Sequence, residues 1–183
     1  MKTVNQLDTW LAQEEAIRSI MAGGVGAGIA RADQIAGKTG LELMQAMLRG
    51  EVPYAPITQT LNFALIEVGP GLAIFQGTPG LTLLNPMGTV HGGWSATLLD
   101  SALGCAVHTR MAAGQGYTTA ELNVNLVRAL TPKVTRVRAE GKVIHCGRQL
   151  ATAQARLVGA DGTLYAHATA TCLVFELAPP SKS

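Results

Sequence analysis

Asp100 is the lone carboxylate in an apolar stretch, Gly93-Trp-Ser-Ala-Thr-Leu-Leu-Asp-Ser-Ala-Leu-Gly-Cys-Ala-Val-His108, whose composition suits a buried helix. Isolated carboxylates are costly to bury, so an acid held in such a helix is a candidate for chemistry if it lines a cleft. The stretch is entered through a polar, glycine-marked loop containing Asn85, Gly88, His91, Gly92 and Gly93. A helix starting near Gly92 or Gly93 presents unpaired backbone N–H groups and a positive dipole end, and glycine there lets another molecule come close to the backbone. That combination can polarise a carbonyl or hold an oxyanion.

Asp100 follows about two turns later, roughly 12 Å along the axis at about 1.5 Å per residue. Over that distance it does not easily serve the N-terminus of its own helix. A twofold dimer in which two sheets join edge to edge would set two such helices side by side, with Asp100 of one facing Gly92 and Asn85 of the other.

The elements that must position these groups are legible from periodicity. Val4, Leu7, Trp10, Leu11, Ile17, Ile20 and Met21 recur at helical spacing with Gln13, Glu14 and Glu15 between them, which predicts an amphipathic helix over residues 4–21. The glycine-rich break at 22–28 and a short helix over Arg31–Lys38 complete an N-terminal helical extension, residues 1–36, read as a peripheral cover over an apolar patch or, alternatively, a lid or interaction arm. The main domain, residues 37–183, opens with a helix over Gly40–Leu48 that ends at Arg49-Gly50. Pro53 and Pro56 predict an extended connection. Leu61–Val68 and Leu72–Gln76 read as a hairpin around Gly-Pro-Gly.

Beyond Gly114 the period changes to two: Ala120, Leu122, Val124 and Leu126 alternate with Thr119, Glu121, Asn123 and Asn125, which predicts a strand with one buried face. Strands over 134–145, 148–158 and 163–175 follow, the last two joined at Asp161-Gly162. Ala151, Ala153 and Ala155 on one strand and Ala166, Ala168 and Ala170 on the next offer a small-residue face against which a helix can lie closely. Arg136, Arg138 and Lys142 read as a solvated strand face. The expected fold class is α+β: a long antiparallel sheet of six strands, two before the helix and four after, curved around one central helix.

Composition narrows the function classes. Fourteen Lys and Arg against 12 Asp and Glu give a net charge of +2, which offers no footprint for nucleic acid or an anionic membrane. With only 14% charged residues, part of the surface is expected to be covered by other subunits. Cys105, Cys146 and Cys172 have no metal-ligand spacing and are odd in number, so neither a zinc site nor a disulfide framework is indicated, and a reducing cytoplasm fits best. Residues 68–99 lack any charged side chain, but Pro70, Pro79, Pro86 and seven glycines argue against a membrane span. The N-terminal residues lack the apolar core of a secretory signal. No histidine has partners at metal spacing. Gly93-Trp-Ser-Ala-Thr97 lacks the final glycine of a serine-hydrolase elbow, which makes Ser95 a poor nucleophile.

The series Asn85, Gly88, His91, Gly92, Gly93 and Asp100 resembles the signature of hotdog-fold acyl-CoA thioesterases, in particular their phenylacetate-pathway-like (PaaI-like) branch. The resemblance continues through Gly116–Arg128, His145-Cys-Gly-Arg148 and Ala166–Cys172, and covers residues 40–176. It implies hydrolysis of an acyl-CoA thioester, with no metal or organic cofactor beyond the CoA of the substrate itself, by a homodimer or homotetramer. Asp100 would be general base or nucleophile, the Gly92 N–H would polarise the thioester carbonyl, Asn85 would orient water or thioester, and His91 would support the loop. Thr119 would hold the place of an assisting hydroxyl. Gly93, Arg128, Gly147 and Arg148 fall where the family meets CoA, and guanidinium forks suit its phosphates. Trp94, Leu98, Met87 and the N-terminal arm are candidates for the acyl pocket. Two rivals stand beside this reading: a hotdog hydratase or dehydratase, whose catalytic His sits in a differently spaced loop, and a non-enzymatic acyl-CoA-binding module.

Overall fold

The computed structural model describes residues 5–177; Val4, assigned above to the first helix, lies outside them, as do residues 178–183. Helix α1 spans Gln6–Gly23 and opens on Asn5, whose side chain accepts from the Leu7 N–H. A single turn, α2 (Ala32–Ile35), leads to α3 (Gly40–Leu48), which starts on a reciprocal cap: Thr39 accepts from the Glu42 N–H while Glu42 accepts from the Thr39 N–H. Gly50, at φ +71°, ends that helix as expected. The segment after Pro53 differs from the extended reading. Pro56 is the first residue of a short helix, α4 (Pro56–Thr60), a position where proline's missing N–H costs nothing.

Six strands form one antiparallel sheet: β1 (Phe63–Gly69), β2 (Leu72–Gly77), β3 (Gln115–Leu126), β4 (Val137–Cys146), β5 (Leu150–Gly159) and β6 (Leu164–Glu176), in the order β1-β2-β4-β5-β6-β3. The central helix α5 (Gly92–His108) lies in the concavity against β2 through β6. Ala151, Ala153, Ala166, Ala168 and Ala170 are buried beneath it, so the small-residue face serves as expected. The closest approach is at Gly141 on β4, where a Cβ would stand 2.2 Å from the Ala102 carbonyl oxygen. This is the hotdog architecture of a sheet wrapped around one helix.

Arg136 and Arg138 do not lie on a solvated face. They bind α1, and Glu14, expected on its polar side, is 3% exposed. Glu14 accepts from Arg18 Nε at 2.7 Å, from Gln76 Nε2 at 2.9 Å and from Arg136 Nε. Arg138, itself buried, donates to Gln76 Oε1 and Gln13 Oε1 and stacks 4.5 Å above the Trp10 ring. Among the described residues no buried side-chain nitrogen or oxygen lacks a partner, and the period of the sequence could not reveal this pairing. Lys142 is exposed, as read.

Burial pushes the Glu14 carboxyl up, and the hydrogen bonds from Arg136, Arg18 and Gln76 with the charge of Arg136 outweigh it, leaving the group below the ordinary value of 4.5. A carboxyl depressed on folding contributes stability that is complete above its unfolded value and is lost as pH falls through the folded one. The clamp is therefore at full strength at neutral pH and weakens below about pH 4.5. Acidification should lower the melting temperature further in the wild type than in Glu14→Gln, in which this contribution is missing. Parallel profiles would show that Glu14 ionisation does not hold α1.

Candidate active site

The loop before α5 is closed on itself. Asn85 Oδ1 accepts from the Met87 and Thr89 N–H groups at 2.9 and 3.2 Å, and its Nδ2 donates to Thr89 Oγ1 at 2.9 Å. Gly88 takes φ +79° at the turn, and the backbone pairs Asn85 with Thr89 and His91 with Leu83. His91 is the N-cap of α5: its Nδ1 accepts from the Gly93 N–H at 2.9 Å, the anchoring role expected of it. Gly92 is the first residue of the helix, so its N–H has no intrahelical acceptor. A Cβ at Gly92 would meet Leu126 Cδ1 at 2.4 Å, which places the start of α5 against the end of β3.

Two turns on, Asp100 is half-buried and accepts from Thr119 Oγ1 at 3.1 Å. The pair opens on a cavity of about 250 Å³ whose remaining polar rim includes Ser101 and Tyr117. Ser101 directs its hydroxyl to the Thr97 carbonyl at 2.8 Å, so Asp100 and Thr119 are the hydrogen-bonded acid–hydroxyl pair of the rim. Cys105 also lines the cavity, but burial, and then the charge of Asp100, push its thiol up to about 12. It is a thiol at neutral pH and a poor nucleophile. Burial, and then the nearby Cys105, Cys172 and Asp100, likewise raise Tyr117 well above the usual phenol range, so it stands as a neutral hydrogen-bond donor. Burial lowers His108, which packs on the Tyr117 ring at 5.5 Å as a neutral imidazole.

Asn85, Gly92 and Arg128 line a different cavity, with Ser95 and Leu126, at the N-terminal end of α5. The chain therefore brings the expected site residues together as two groups: Asn85, His91, Gly92, Gly93 and Arg128 at one end of the helix, Asp100 and Thr119 midway along it. Gly147 and Arg148 join neither. They lie in the β4–β5 turn, where the Gly147 N–H meets the Leu150 carbonyl and Gln149 accepts from Val174, whereas Arg128 is held to Tyr165 at the other end of β6. Nine residues of β6 separate those anchors, about 30 Å at about 3.3 Å per residue, so one chain does not unite Arg128 with Arg148.

The acyl-pocket candidates are dispersed within one chain. Trp94 and Leu98 are buried in the core against Gly77, the Trp94 indole N–H donating to the Leu61 carbonyl, and Met87 is 88% exposed on the loop. None of the three lines the cavity at Asp100. The N-terminal arm does, through Ile17 and Met21. Tyr117 was missed altogether. Its signal was present: it is an aromatic two residues before Thr119 on the same strand and hence on the same face.

The profile of the thioesterase superfamily matches residues 87–166, the segment that carries His91 through Arg148. Among curated proteins, no sequence matches the chain. Among solved structures, a protein of the thioesterase superfamily is 34% identical, with 65% of this chain and 89% of the other covered at a TM-score of 0.58. A phenylacetic acid degradation-related protein from Ralstonia eutropha is 29% identical, with 70% and 97% covered at a TM-score of 0.65. An N33D mutant of the phenylacetic acid degradation protein PaaI from Thermus thermophilus is 28% identical, with 64% and 97% covered at a TM-score of 0.58. With a relative of that superfamily 34% identical over most of its length and the segment from Met87 through the central helix matched by the profile, the chain belongs to the thioesterase superfamily.

Proposed function

We propose that the protein hydrolyses an acyl-CoA thioester to the free acid and CoA at sites shared between two copies of the chain. The observation that carries this reading is the arrangement of α5 along β3. Gly92 lies opposite Leu126, Asp100 opposite Thr119 and Gly104 opposite Tyr117, so helix and strand run side by side in opposite directions. Strand β3 is an edge of the sheet, twelve residues long, with Leu122 and Leu126 more than a third exposed and Val127 beyond its end likewise. A long, partly apolar edge is a template for another strand.

Antiparallel pairing of two β3 strands about a twofold axis between Leu122 and Asn123 supplies the missing half of each site. Thr119 then faces Leu126 of the partner subunit, which sets Asp100 beside Gly92 of the partner subunit. The same axis carries Arg128 of the partner subunit to the level of Tyr117, whose β6 neighbour Val174 is bonded to Gln149 in the Gly147-Arg148 turn. One operator thus gathers the acid with the carbonyl-polarising N–H and the guanidinium groups with each other. In such a site the Gly92 N–H takes the growing negative charge of the thioester oxygen. Asp100, held by Thr119, activates the water, and Arg128 and Arg148 meet the phosphates of CoA.

Purified protein should release free thiol from at least one member of a series of short, medium, long and aromatic acyl-CoA esters. Binding of the esters without thiol release would replace hydrolysis with a carrier or sensor role.

A further inference from the structure

The cavity at Asp100 extends away from the acid into a wall built by the N-terminal helices. Ile17 and Met21 of α1, Met47 and Leu48 of α3 and Ile57 of α4 line it, facing Phe75 of the sheet. All five of the helical residues precede the segment matched by the superfamily profile. This wall is fixed in place. Glu14, one turn before Ile17 on α1, is the buried anchor bonded to Arg136, Arg18 and Gln76, and Trp10 lies under Arg138. The extension is thus part of the pocket, clamped to the sheet through a polar cluster with no role at the reacting end.

We infer that α1 determines which acyl group the protein accepts: Ile17 and Met21 close the far end of the pocket around an uncharged, apolar acyl chain of limited length. The inference rests on the thioesterase reading for the identity of the bound group. Two properties of the cavity define the class. Among the described residues its lining holds one carboxylate, Asp100, and no Lys, Arg or His, so an acyl group with a second carboxylate would meet like charge and no partner. Its volume of about 250 Å³ is at the small end for ligand pockets, which run from about 300 to 1,000 Å³, and suits a short acyl group.

Shortening the wall should lengthen the preferred chain. Met21→Ala and Ile17→Ala each free space for about two further methylenes, and burying two methylenes changes specificity by about tenfold to twentyfold. The test measures kcat/KM for thiol release from straight-chain acyl-CoA esters of increasing length and, on the same proteins, the affinity for those esters by calorimetry. Each variant should raise the ratio of long-chain to short-chain kcat/KM by about tenfold, and the affinities should shift in parallel. Met47→Ala, on the independent helix α3, provides a second variant should α1 detach. Unchanged length profiles in folded variants would overturn the role of α1 and leave the thioesterase reading standing. Shifted affinities without any thiol release would do the reverse. A wild type that neither binds nor cleaves the esters would refute both.

Discussion

Asp100→Asn should lower kcat for thioester hydrolysis by at least about two orders of magnitude, the lower range for removal of a positioned base, with a melting temperature close to that of the wild type. The substitution keeps the size of the side chain and an oxygen to accept from Thr119, whose hydroxyl lies 3.1 Å from Asp100 Oδ1. What it removes is an oxygen that can take a proton or attack carbon. Because Asp100 lines the cavity without carrying the core, the loss falls on the transition state, so kcat and kcat/KM should drop together while KM stays near its wild-type value. Cys105 also lines the cavity, and burial keeps its thiol protonated, which makes it a poor nucleophile. Near-normal turnover by Asp100→Asn would take the carboxylate out of the mechanism.

The ease with which the fold could be read differs along the chain for identifiable reasons. Strands β5 and β6 alternate with period two, and their alanine rows announce a helix lying on them, so this part of the sheet and the central helix follow from pattern. Strand β3 alternates in sequence, but its apolar face, expected to be buried, is not: Ala120, Leu122 and Leu126 are exposed, because β3 is an edge of the sheet and its register shifts between Thr119 and Glu121. The approach of α5 to Gly141 was not readable, because a glycine inside a strand indicates closeness without naming what is close. Helix α1 is the peripheral element its period predicts, but the burial of Glu14 on it was not readable. That burial depends on Glu14 meeting Arg136 and Gln76, residues 122 and 62 positions away, and no local period encodes such a meeting. The same limit explains the site. Asn85, Gly92 and Asp100 could be singled out because their spacing is local, but the residues that shape the pocket come from α1, α3 and α4, brought to Asp100 only by folding. The hydroxyl of Thr119 was found through resemblance, and the structure shows why the position is suited to it: strand β3 runs beside α5 with Thr119 level with Asp100.

The second large effect concerns the pairing of two chains. Within one chain, Asp100 and the N–H of Gly92 belong to different cavities, and roughly 12 Å of helix at about 1.5 Å per residue lies between them. A site that needs both must borrow one from a neighbour, and in the proposed dimer that neighbour pairs with the open edge of β3. Two inactive proteins should then repair one another. Asp100→Asn retains the loop, and Asn85→Ala, which loses the side chain that ties Met87 and Thr89, retains the acid. In a hybrid dimer one of the two sites receives the intact loop from the first chain and the intact acid from the second, while the other site receives both defects. Free exchange of equal amounts makes about half of the dimers hybrid, so about a quarter of the wild-type sites should be restored. The most direct measurement is therefore the thiol-release rate of the equimolar mixture after subunit exchange has been verified by differential labelling. Recovery to about a quarter of the wild-type rate is the predicted result; a mixture no more active than its two components would contradict the shared site.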